Sequence, residues 1–329
     1  MQRQRRRKMF PPIKENEYKE RMYGEVLPYL DDIRVSGNFE RIPGESIYYE
    51  NYDAKDAKGT VVFLHGYSDG LPKHYESVYY FLKNGYNVRQ LQQRGHGKSY
   101  RGTFDSSLIH IESYPDLILD LDYYVKHVVL TDDNCKDKPL HVFGHSMGGA
   151  VAARYLQVFP EIFDKAILSS PMMELKSGKH PMIEEAVKNF MVRSGRGERY
   201  VKGTGPYNGS WTFDSASAGT KCRFDYYFDV LRKNEIYRTW GPSWYTALEF
   251  SRLTNDVRVP EECERIEAEC IILSASNDAL VTLEGQEQFA ENVEECCIYV
   301  MPNCKHDIFS SHDETLEIYW KVINAFLES

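Results

Sequence analysis

The chain has no run of about 18 apolar residues, so no segment of it reads as a helix long enough to cross a bilayer. It lacks the CxxC and HExxH spacings that would hold a metal. Its cysteines number seven, an odd count, and Cys296 and Cys297 are adjacent. A disulfide framework fits that pattern poorly, so the thiols are expected to pack as small hydrophobes in a reducing, cytoplasmic setting. Positive charge is also short: 40 Lys and Arg face 49 Asp and Glu, a formal net charge of −9. That excludes a nucleic-acid binder held by phosphate neutralisation. No apolar stretch follows the first residues, where Pro11-Pro12-Ile13-Lys14-Glu15-Asn16 stands instead, so no secretory signal is expected.

What is present is an ordinary globular composition, 42% hydrophobic and 27% charged over 329 residues. The length allows one large α/β unit with an insertion, or two units. The start, MQRQRRRKMF, concentrates Arg3, Arg5, Arg6, Arg7 and Lys8. It reads either as a solvated tail or as a weak, transient contact with an anionic membrane surface, each basic residue adding about 1 kcal/mol.

Short β-rich runs alternate with longer amphipathic ones, which predicts a mainly parallel sheet covered by helices. Strands are expected at 38–42, 46–52, 60–64, 87–91, 140–143, 165–169, 270–274 and 298–301. Helices are expected at 75–84, 114–130, 149–159, 282–293 and 314–327. From Pro171 to about Leu253 the rhythm stops, and Gly, Ser, Tyr and Trp accumulate. The division predicted is a basic tail and lead-in (1–33), a core (34–171 and 256–329) and an inserted cap (172–255) with helices at 184–192 and 223–233.

Gly144-His145-Ser146-Met147-Gly148 matches G-x-S-x-G between a predicted strand and a predicted helix, the context of a nucleophile elbow. Glycine two residues before and after Ser146 would remove the Cβ atoms that so tight a turn cannot hold. A serine hydroxyl needs a base. In the order serine, acid, histidine, only His180, His306 and His312 follow Ser146. His306, just past the last predicted strand, is the candidate; His180 falls in the cap, and His312 reads as a capping residue. Asp278, past the preceding strand, is the candidate acid that would orient the imidazole. Asp307, next to His306, reads as structural. Met147 and Tyr67 are the candidate backbone donors of an oxyanion hole, with Gly66 allowing close approach of the second.

With these residues assembled, the chain resembles the α/β-hydrolase superfamily. More narrowly it is similar to the serine aminopeptidase S33-type branch that holds lysophospholipase L2 and monoacylglycerol lipases. The resemblance runs from Ile47 to the C-terminus. Its carriers are Leu64-His65-Gly66, Arg94-Gly95-His96-Gly97-Lys98-Ser99, Gly144 to Gly149, Asp278, Lys305-His306 and the cap-end Gly241-Pro242-Ser243-Trp244. Gln93 departs from it, because an acidic residue often precedes the arginine there; His96 reads as a loop-structuring residue. The resemblance implies hydrolysis of a carboxylic ester through an acyl-enzyme, without a cofactor, on a small-molecule acyl ester or lysolipid. A small-ester esterase and an amidase that removes an N-terminal proline stay open. The amidase would need an acid for the substrate amine, from Glu174, Glu184, Glu185, Asp214 or Asp225. A non-catalytic binding protein on the same fold would be expected to lack a triad member.

Overall fold

The computed structural model describes residues 9–176 and 181–329. The basic run Arg3 to Lys8 and His180 lie outside the described residues. The strands are β1 (Val35–Glu40), β2 (Ser46–Tyr52), β3 (Gly59–Leu64), β4 (Tyr86–Leu91), β5 (Leu140–His145), β6 (Lys165–Ser169), β7 (Glu269–Ala275) and β8 (Cys296–Met301). They form one sheet in the order β1-β2-β4-β3-β5-β6-β7-β8. The β1–β2 and β2–β4 pairs are antiparallel and the rest parallel.

The central strands read as continuous apolar runs because both of their faces are covered. Every residue of β3 is buried. Successive side chains point to opposite faces. Val62 and Leu64 therefore join one core cluster with Val142, Leu168 and Ile272, while Val61 and Phe63 join the other with Phe143, Ile167 and Leu273. The first cluster is closed by helices Pro115–Tyr124, Met147–Val158 and Trp244–Asp256, the second by Tyr75–Lys83 and Asp313–Glu328. After β3 the chain goes to β4 on one side, then crosses to β5 on the other. The carboxyl ends of β3 and β5 thus flank the topological switch point, where open α/β sheets bind ligands.

Three features differ from the sequence reading. Residues 18–33 are helical, with a π turn at Met22–Val26 between Tyr18–Arg21 and Leu27–Ile33, and they bury Tyr18, Met22, Val26 and Leu30. Their apolar positions are sparse and flanked by charge, which hid the period. The helix expected over 114–130 gives way at Tyr124 to a π turn, Val125–Val129. Helix Trp244–Asp256 was not expected at all. Ser243 caps it by accepting from the Thr246 N–H at 3.1 Å, and Phe250 and Leu253 pack into the core. Its buried Glu249, which accepts from the Tyr114 N–H at 2.8 Å, broke the apolar stripe.

All seven cysteines are free, and Cys135, Cys263, Cys270 and Cys304 are buried. Among the described residues no helix is long and apolar enough to cross a membrane.

Helix Lys221–Lys233 of the insertion is fastened to the core by a buried ion pair. Arg223 donates to both Glu76 oxygens at 2.9 and 2.8 Å and also to the Ile13 carbonyl at 2.9 Å. Removing one partner strands the other charge out of water, at a cost of about 3–5 kcal/mol. Arg223→Met is therefore expected to lower unfolding free energy by about that amount in urea titration. A change under about 0.5 kcal/mol would show the pair to be dispensable.

Candidate active site

Ser146 sits between β5 and helix Met147–Val158 with φ 52° and ψ −116°, a backbone state that a non-glycine residue adopts only when its surroundings enforce it. Those surroundings are visible. The Ser146 N–H donates to the Ser169 carbonyl at the end of β6, and the Ser146 carbonyl accepts from Met172. A Cβ on Gly144 would lie 2.5 Å from the Gly148 carbonyl oxygen. One on Gly148 would lie 2.4 Å from the Leu64 carbonyl oxygen. The first glycine lets the helix start fold back over the strand. The second lets the turn press against the end of β3.

The hydroxyl so presented meets His306, whose Nε2 is 2.8 Å from the Ser146 Oγ. The other ring nitrogen, Nδ1, is 2.6 Å from the Asp278 Oδ2. A carboxylate can only accept, so Nδ1 carries the proton and Nε2 is left to accept from the serine. The second oxygen of Asp278 accepts from the Leu280 and Val281 N–H groups at 2.8 and 3.1 Å. Burial alone would raise the Asp278 pKa. The His306 contact and these two amides outweigh it, and hold the carboxyl below its ordinary value.

Beyond β3 the loop folds back on itself: Asp69 Oδ2 accepts from the Gly66 N–H at 3.2 Å. A Cβ on Gly66 would come within 2.9 Å of the His145 ring and 3.3 Å of the Ser146 Cβ. Among the described residues, neither the Tyr67 N–H nor the Met147 N–H has a hydrogen-bond acceptor. Unpaired backbone donors at the edge of a buried site are rare without a ligand to satisfy them. Both residues flank Ser146 in space, and Tyr67 and Ser146 line a common cavity of about 150 Å³. Its other walls include Trp211, Ser217, Tyr227 and Trp240 from the insertion.

Neighbouring histidines set this frame. His65 Nε2 accepts from the Gln93 N–H at 2.9 Å while its Nδ1 faces the Gly66 carbonyl at 2.8 Å. His96 Nε2 accepts from the Ser68 N–H at 3.2 Å while its Nδ1 faces the Arg94 carbonyl at 3.0 Å. Both rings are thus neutral braces for the Tyr67 loop. Gln93, the departure from the family pattern, donates its side-chain amide to the His65 carbonyl at 2.6 Å. Arg94 takes its acids from farther away, Asp120 at 2.7 Å and Glu45 at 2.9 Å. His312 occupies the N-cap position of the last helix, but its side chain makes no cap bond; it meets Glu15 at 2.8 Å instead.

None of the acids considered for binding a substrate amine lines the cavity. Glu174 pairs with Arg258, Glu185 with Lys188, and Asp225 with Lys221. The carboxylates that do line it are Asp69 and Asp307, both occupied by Lys73. Asp307 also approaches His145, which directly precedes Ser146, at 3.3 Å. The sequence reading missed Lys73 because nothing in its local pattern separates it from a surface lysine.

A mostly parallel sheet with an elbow after its central strand β5 and an insertion between β6 and β7 is the α/β-hydrolase fold. Residues 55–313 match the family described as "Serine aminopeptidase, S33", and the chain belongs to that family. A probable lysophospholipase L2 from Haemophilus influenzae is 26% identical over 268 residues, 81% of this chain and 83% of that protein. A monoacylglycerol lipase from Mycolicibacterium smegmatis is 26% identical over 160 residues, 48% of this chain and 54% of that protein. Among solved structures, a soluble variant of monoglyceride lipase from Saccharomyces cerevisiae superposes with a TM-score of 0.73 at 17% identity, covering 90% of this chain and 95% of that one. This last likeness is one of fold.

Burial holds His96 down to about 4 and His141, on β5, also to about 4. An unfolded histidine titrates near ~6.5. Between those values the unfolded chain binds protons that the folded chain refuses. Stability is therefore full above about pH 6.5 and is lost as pH falls toward about 4. Thermal unfolding is expected to show a lower Tm at about pH 5 than at about pH 7. An equal Tm at both would contradict the neutral assignment.

Proposed function

We propose that the protein is a serine hydrolase of carboxylic esters, acting on a lysophospholipid or monoacylglycerol. The observation that carries this is the continuous hydrogen-bonded line Ser146–His306–Asp278, opening on a cavity beside two unpaired backbone N–H groups. In this reading the Ser146 proton passes to His306 Nε2 as Oγ attacks the ester carbonyl. The oxyanion takes the Met147 and Tyr67 N–H groups, each such donor being worth about 3 kcal/mol. Asp278, kept ionised, stabilises the imidazolium. His306 then protonates the departing alcohol, and water activated by the same ring releases the acid and restores Ser146.

The lysophospholipase and monoacylglycerol lipase names of the relatives above support the lipid class. The amidase reading, which the family's description also suggests, is weaker here because the cavity offers no unoccupied carboxylate for a substrate amine. The complete triad speaks against a binding protein.

The proposed division keeps residues 34–171 and the C-terminal part as core, and the insertion as cap. Helix Trp244–Asp256 is placed with the core it packs against, so that 172–243 form the cap proper. A cavity of about 150 Å³ is small against the 300–1,000 Å³ of ordinary ligand sites, so a long acyl chain requires the cap to open or the chain to leave through the mouth. Leu280 lines the cavity and is 47% exposed, marking that mouth.

The membrane-surface contact is best supported by the cap. Helix Pro181–Met191 exposes Met182, Ile183, Val187 and Phe190, and Lys188 lies on the same helix. An amphipathic helix with its apolar face unburied suits a lipid interface. The double variant Met182→Ser/Phe190→Ser is expected to lose co-sedimentation with phosphatidylglycerol vesicles while hydrolysing a soluble short ester normally. Undiminished vesicle binding would rule out this face.

Fatty-acid release from a long-chain lysophospholipid and a matched monoacylglycerol tests the main proposal, with Ser146→Ala as the blank. Release by the parent alone is expected, and the ratio of the two chooses the head group. Hydrolysis of short esters only would overturn the lipid class, and equal turnover by Ser146→Ala would overturn the mechanism.

A further inference from the structure

One wall of the cavity carries a cluster of charged groups that the reaction above does not use. The Lys73 ammonium is 2.7 Å from Asp69 Oδ1 and 2.9 Å from Asp307 Oδ2. Asp69 Oδ2 accepts from the Gly66 N–H and meets His74 Nε2 at 2.9 Å. Asp307 Oδ1 faces His145 Nε2 at 3.3 Å, and the other nitrogen of that ring faces the Ser169 carbonyl at 3.2 Å. Asp69, His74, His145 and Asp307 are all at most 3% exposed.

Each carboxylate belongs to a different catalytic segment. Asp69 closes the turn whose tip is the Tyr67 N–H. Asp307 follows His306 directly, and its His145 contact reaches the residue before Ser146. One ammonium therefore ties the oxyanion loop, the elbow and the histidine loop together, each at a residue within two positions of a reacting group. Loops joined only by backbone would be free to shift against one another; an ammonium shared between two buried carboxylates allows one spacing.

Resting on the serine-hydrolase reading above, we propose that Lys73 and Asp307 are positioning residues, an ionic cross-link that sets the distance between the oxyanion donors and the His306 ring. Asp307 is thus more than the structural neighbour its place in the sequence suggests. Desolvation opposes the charge on Lys73, but the two carboxylates outweigh it and hold its pKa above the ordinary lysine value. The cross-link is an ion pair throughout the working range.

The loops misalign without unfolding when the charge pattern changes, and misplacement by about 1 Å costs on the order of 100-fold in rate. Asp307→Asn keeps the shape and removes one charge. It is expected to lower kcat on a short ester by about 10-fold or more, with KM within about 3-fold and Tm near that of the parent. Lys73→Met leaves two facing carboxylates and is expected to lower both kcat and Tm. Adding Asp307→Asn to Lys73→Met removes that repulsion, so Tm recovers while kcat stays low.

The experiment measures kcat, KM and Tm for the parent and these three variants, together with the rate at which a fluorophosphonate labels Ser146. A parent that is not labelled would overturn the hydrolase reading itself. A labelled parent with Asp307→Asn at full kcat, or with the double variant recovering kcat along with Tm, would overturn the cross-link and leave the hydrolase reading standing.

Discussion

The close approach of the Ser146 turn to the end of β3 is the constraint on which the rest of the site depends. A Cβ at Gly148 would strike the Leu64 carbonyl, and one at Gly66 would crowd His145 and Ser146. With both absent, the helix after Ser146 and the Tyr67 loop meet across the switch point of the sheet. The strained φ of Ser146 is held there by the Ser169 and Met172 hydrogen bonds. Strain of this kind costs on the order of 1–3 kcal/mol and persists only where neighbours over-determine it. Here two strand ends and a helix start do so.

Around that contact the protein builds in neutral and charged shells. The histidines bracing the Tyr67 loop, His65 and His96, act as uncharged donors and acceptors, each fixing a backbone amide on one side and a carbonyl on the other. The charged groups lie along the cavity wall, in the Asp69–Lys73–Asp307 cluster, and farther out in the Arg94–Asp120–Glu45 and Arg223–Glu76 pairs. A charge taken out of water needs a partner. These ions therefore cross-link segments distant in sequence, and fasten the cap to the core beside the cavity.

The insertion between β6 and β7 is not uniform. Its segment around Ala216 to Ala218 is bonded to the histidine loop, since the Asp307 N–H donates to the Ser217 carbonyl and Lys305 to the Ala216 carbonyl. Its helix Pro181–Met191 instead turns apolar side chains outward. One part of the insertion thus packs beside Ser146 and His306, and another presents an apolar face to solvent.

The sheet, the elbow and the residues that meet at it could be read before any coordinates were known. Buried parallel strands must be continuously apolar, and a turn this tight must have glycine at set distances from the serine; both demands are local and leave a local trace. Ser146, Asp278 and His306 were legible because chain order and strand ends leave few alternatives. The partners of Lys73 and Asp307, the packed helices at 18–33 and 244–256, and the replacement of Gln93's expected acid by Asp120 and Glu45 emerged only in the folded chain. Each depends on a contact between residues far apart in the chain. A lysine on a short turn or a buried glutamate in a helix has no local signature that separates it from a solvated one. Burial and a partner supply the difference, and both arise when the chain folds.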